Sequence, residues 1–155
     1  MATSPVARFG EDGASAGHTP ARQPPSPKLS ATKVRALSIE HHTALEVMRA
    51  GRGNADAIAC LVRTVCLAYL IETLERKRAA PRPYHKAESL LEQCALCAAG
   101  SGEWRLHDAD AVAVAHILAV HDAQLSRIPL PLYREAWERL ARAVAGNLGS
   151  PIPPG

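Results

Sequence analysis

Cys94-Ala95-Leu96-Cys97 is the spacing in this chain closest to a reactive device, because two thiols so placed can form a redox disulfide or half a zinc site. The remainder of either device is absent from the sequence. A zinc ribbon needs a second pair on a knuckle-like turn, whereas Cys60 and Cys66 fall inside one apolar helical pattern. A thioredoxin-type pair opens a helix, where the N-terminal dipole lowers a thiol pKa. Cys94 and Cys97 come late in theirs, on the face of Leu90. Both are expected to pack as small hydrophobes, with thiol or metal sensing as the alternative.

His121 interrupts the apolar face made by Val114, Ile117, Leu118, Leu125 and Ile128. A buried neutral imidazole needs a partner for its N–H, and Glu72, beside an apolar stripe of another helix, is the expected one. No nucleophile or oxyanion device accompanies them, so the pair reads as a structural hydrogen bond rather than a catalytic dyad. His41, His42 and His116 add ligands in principle. Without HExxH or paired Glu-x-x-His spacing, however, no metal site is expected.

Arg76, Lys77, Arg78, Arg82 and Lys86 form the densest cluster of cations. They could meet nucleic acid or an acidic partner, or simply complement a solvated helix end. Trp104, in a Gly-Ser-Gly loop, reads as a lid over the core, with an exposed interaction anchor as the other reading. Phosphate-binding loops, dinucleotide fingerprints and GxSxG elbows are absent, so neither an enzyme nor a cofactor is expected.

The elements that must position these residues are helices. From Asn54 to Arg78, Ile58, Leu61, Val62, Val65 and Tyr69 fall on one side, and Leu67, Leu70, Ile71 and Leu74 roughly opposite. Two apolar stripes mean a central helix packed on both sides, or one side left for a partner. Leu67, Leu70, Ile71 and Leu74, with Trp104, are therefore the candidate interaction surface.

Four amphipathic segments flank this one. The first starts after Ser38 and stops at Gly51-Arg52-Gly53, with Leu37, His41, Ala44, Leu45 and Met48 inward. The third runs from about Tyr84 to Ala99, with Ala87, Leu90, Leu91, Cys94, Cys97 and Ala98 inward. The fourth spans the region of Asp108 to Arg127. The last carries the stripe Tyr133, Trp137, Leu140 and Val144, with Glu135–Arg139 and Glu138–Arg142 pairs outside. Short connections favour antiparallel neighbours, so the fold is expected to be all-α, a compact bundle of about five helices over residues 34–148.

Residues 1–33 carry Pro5, Pro20, Pro24, Pro25 and Pro27 among small polar residues, which predicts a disordered arm. Residues 149–155 read as a second disordered tail. The net charge of +3 is shared unevenly: the arm holds four basic groups against two acidic ones, leaving the helical region close to neutral. A domain that tracks phosphates usually shows a clear basic excess, so nucleic acid is the less favoured partner. Arg63 and Glu72 inside the apolar segment argue against a membrane span. The absence of an apolar leader, with four cysteines, fits free thiols in the cytoplasm.

Arg35-Ala36-Leu37-Ser38, Ala50-Gly51-Arg52-Gly53-Asn54-Ala55-Asp56-Ala57, Glu103-Trp104-Arg105-Leu106 and Glu135-Ala136-Trp137-Glu138-Arg139-Leu140 together resemble a family. It comprises small, uncharacterised all-α proteobacterial proteins, some labelled "Fis family transcriptional regulator". The resemblance covers most of Arg35 to Gly146 and implies no site residues. The sequence as a whole leads to a non-enzymatic regulatory or adaptor protein acting through protein contacts, a second copy of itself included. A DNA-binding regulator using Arg76 to Lys86 is the alternative.

Overall fold

The computed structural model describes residues 22–155. Five helices follow one another: α1 (Ala31–Arg49), α2 (Ala55–Arg76), α3 (Arg82–Ser101), α4 (Asp108–Arg127) and α5 (Leu130–Ala145). The fold is all-α, as its periodicity requires.

Local chemistry fixes the helix ends. The Ser30 hydroxyl accepts from the Lys33 N–H at 3.2 Å, and the Asn54 side chain from the Ala57 N–H at 2.8 Å. Asp108 and Asp110 occupy the first turn of α4, where the dipole favours acids. Lys77 closes α2 in the left-handed region at φ 58°, a position usually given to glycine.

α1 thus begins two turns before the expected Ser38, because Ser30 already caps it and Leu29 packs on the core ahead of it. The arm expected over residues 1–33 therefore stops short of Ser30–Lys33, which are the cap and first turn of α1. Lys28 pairs with Pro129 in an isolated antiparallel bridge, and Leu130 donates its N–H to the Pro27 carbonyl at 2.7 Å. The expected arm before residue 22 lies outside the described residues.

α2 touches every other helix. α1 and α3 each pack against both α2 and α4, and α2 also meets α4 directly. Helices α1 to α4 therefore form a four-helix core with α2 and α4 on its short diagonal. α5 packs only against α2 among the described helices. Two layers on either side of α2 account for its two stripes. By length and composition α2 could cross a membrane, yet 67% of its most apolar window is buried within the bundle.

That arrangement corrects the expected interaction surface. Leu67, Leu70 and Ile71 are buried and Leu74 is half-buried, because the bundle's own helices cover them. The C-terminal tail is corrected too: Ile152 is buried in the core cluster, and the Ser150 hydroxyl accepts from its N–H at 3.0 Å. One large aliphatic side chain among prolines was enough to fasten the segment.

Candidate functional site

Because α3 and α5 both rest on α2 but not on each other, a groove of about 870 Å³ opens between them. Ile58, Ala59, Val62 and Cys66 of α2 form its floor. Ala95 of α3 stands on one side, and Trp137, Leu140, Ala141 and Val144 of α5 on the other. Ser150 and Pro151 of the tail complete the lining beside Cys66. Its size falls in the range of roughly 300–1,000 Å³ usual for small-molecule sites, and its lining is overwhelmingly apolar.

Trp104 covers the groove beside the start of α2. The loop after α3 is held there by the Leu106 N–H, which donates to the Met48 carbonyl at 3.0 Å. Gly53 permits this close approach, since a Cβ there would lie 2.8 Å from the Trp104 carbonyl oxygen. Trp104 is half-buried and packed on the core, which matches a lid better than an exposed anchor.

The polar groups of the groove are few. Glu88 of α3 is only 4% exposed yet lines the cavity. The Cys66 thiol donates to its Oε1 at 3.5 Å, and burial, reinforced by that carboxylate, pushes the thiol up to about 12. His85 Nδ1 lies 4.0 Å from Glu88 Oε2, too far for a hydrogen bond, and is buried without a partner of its own. Arg63 lines the groove as well, 3.9 Å from Glu40 and with its guanidinium 5.9 Å from the Trp137 ring centre.

A second polar cluster sits between α1 and α4, buried at His41 and His121 and open at His42 and Asp122. His121 is fully buried, with its Nδ1 3.2 Å from Gln124 Oε1 and its ring centre 5.4 Å from that of His41. Burial lowers its pKa to about 4, so the ring is neutral near pH 7. His42 Nε2 meets Asp122 Oδ2 at 2.8 Å nearer the surface.

The expected Glu72–His121 pair does not form. Glu72 turns toward α3, where it accepts from the buried Tyr84 hydroxyl, while His121 faces α1. Arg76 Nε lies 3.8 Å from Glu72 on its own helix. The two residues stand on different sides of α2 and α4.

Cys94 is buried and its thiol donates to the Arg105 carbonyl at 3.1 Å, but Cys97 is exposed rather than inward. All four cysteines are thiols, and burial raises the pKa of Cys60 and Cys94 as well. Among the described residues no three His, Cys, Asp or Glu side chains gather as a metal would require. Arg76, Lys77, Arg78, Arg82 and Lys86 are all exposed around the α2–α3 corner.

No family model, curated protein or solved structure matches the chain. The groove's chemistry must be read from its own side chains. Glu88 and Trp137 are the residues that motif reasoning passed over. A signal was present for Glu88: Tyr84, Glu88, Leu91 and Ala95 share one helical stripe, with a carboxylate where an apolar side chain belongs.

Proposed function

We propose that this chain is a non-enzymatic helical regulatory or adaptor protein that works through protein contacts, and that its α5 edge receives a second copy of itself. The observation that carries the reading is the state of α5. It rests on a single helix and leaves Trp137 and Val144 exposed beside the groove, with Leu148 exposed just after the helix ends at Ala145. Within α5, Trp137, Ala141 and Val144 follow the four-three spacing that suits a helix-to-helix seam.

α5 carries both signs along its length, with Arg134, Arg139 and Arg142 beside Glu135 and Glu138, and the Arg139 guanidinium is already paired with Glu135 at 2.7 Å. A second copy therefore meets α5 through its apolar residues, about a two-fold axis that sets the same face of each chain together. Catalysis finds no support in the same geometry, since His121 is sealed and the Cys66 thiol is held protonated.

Native mass spectrometry and sedimentation over a range of concentrations test the reading. A dimer is expected for the wild type and a monomer for Val144→Glu and Leu148→Glu, with helical content unchanged. A wild-type chain that stays monomeric throughout overturns self-association.

The exposed cations around the α2–α3 corner support a second reading, contact with DNA. It requires affinity that falls steeply with salt and collapses when Arg78, Arg82 and Lys86 are replaced by Gln. Salt-independent or absent binding removes it.

A further inference from the structure

We propose that the α3–α5 groove binds a small cationic amphiphile, an apolar molecule carrying one protonated amine, with the ammonium group on the Glu88 carboxylate. This goes beyond self-association through α5. Trp137 and Val144 border both surfaces, whereas Glu88, Ile58 and Val62 belong to the groove alone, so failure of ligand binding and failure of self-association are read by different measurements.

The inference begins with a carboxylate that lacks adequate partners. Glu88 is nearly fully buried in the wall of a mainly apolar groove, and its one hydrogen bond comes from a thiol, a weak donor. His85 approaches but makes no hydrogen bond. A buried carboxylate in such surroundings is costly unless a cation or several strong donors meet it. An alkylammonium supplies three N–H groups and a positive charge at that point.

The sign of the groove agrees. Glu92, one turn further along α3, also lines the cavity. Arg63 is the one Lys or Arg among the described lining residues, against these two carboxylates, and it stands 3.9 Å from Glu40 and over the Trp137 ring. An anionic amphiphile would bring its head group against two carboxylates. A neutral one would leave Glu88 as it is.

The apolar floor and volume suit the hydrocarbon part. Ile58, Val62 and Leu140 offer contact along its length, and Trp104 lines the end near the α1–α2 turn. Open access between α3 and α5 lets such a molecule enter without unfolding a helix.

The chain reports its own occupancy, because its only two tryptophans, Trp104 and Trp137, both line the groove. The test is a fluorescence titration near pH 7 with decylammonium, decanol and decanoate, each below its micelle concentration. Decylammonium should give a saturable change, with decanol and decanoate weaker by about tenfold or more, the usual effect of losing a charge-assisted contact. Glu88→Gln should lower decylammonium affinity by about the same factor and leave decanol unchanged.

Equal binding of decylammonium and decanol, preference for decanoate, or no saturable change with any probe overturns the proposal. An undiminished decylammonium affinity in Glu88→Gln overturns it as well. Should that variant fail to fold, the ranking of the three probes on the wild-type protein decides the matter. Subunit number is read separately by native mass spectrometry, so a failed titration and a failed dimer are told apart.

Discussion

Gln124 on α4 donates its side-chain amide to the main-chain carbonyl of Ala68 on α2, at 2.9 Å. Its other end, Oε1, meets His121 Nδ1 at 3.2 Å, so one buried side chain serves both helices of the central diagonal. Gln124→Met keeps the volume but deprives His121 of its partner. The expected loss is about 1–3 kcal/mol, read as a lower urea midpoint with an unchanged slope. Stability equal to the wild type would show that the bond contributes nothing net.

Acid should weaken the fold through His121. Its folded pKa is lowered from 6.5 to about 4 by burial, so the unfolded chain takes up a proton that the folded chain refuses. Stability is therefore full above pH 6.5 and is lost as pH falls toward 4, by about 3 kcal/mol. His41, also lowered by burial, adds in the same direction, while Asp122 and Glu40 oppose the trend by favouring the protonated rings. Urea unfolding at several pH values checks this. His121→Leu should flatten the profile in that window even though its absolute stability differs.

Ile152 makes the end of the chain part of the core. It is buried in the core cluster, next to the groove-lining Ser150 and Pro151 in the chain. Ile152→Ala should cost about 2–4 kcal/mol, the range for emptying a buried aliphatic site. Ending the chain at Gly149 should cost a similar amount, and thermal unfolding of both variants measures it. A truncated protein as stable as the full chain would mean that the tail only rests on the surface.

Much of this architecture is legible in the sequence, because helical periodicity is a local property. The two stripes of α2 announce its central place, and Asn54 and Gly146 mark ends that the structure keeps, while α3 runs past the expected Ala99 to Ser101. Ser38 and Ser30 are equally good caps locally. Ser30 prevails once Leu29 packs on the core and Lys28 reaches Pro129, contacts that no sequence window contains. Pairing across helices was less accessible. Glu72 and His121 each sit on an apolar stripe, but which neighbour each meets depends on how the helices turn about their axes. The groove exists because α5 settles on α2 without reaching α3, which periodicity does not encode.

The solitary contact between α5 and α2 sets an order of events during synthesis. Ala55–Arg76 emerges early, while the helix that covers its outer side, Leu130–Ala145, is made near the end of the chain. Until then Ile58 and Val62 have no α5 above them, and a half-made bundle presents a sticky ridge to every other newborn chain. Closing the ridge needs contacts between distant parts of the chain, the slow kind. Premature termination anywhere before residue 130 therefore yields an aggregation hazard rather than a smaller working protein.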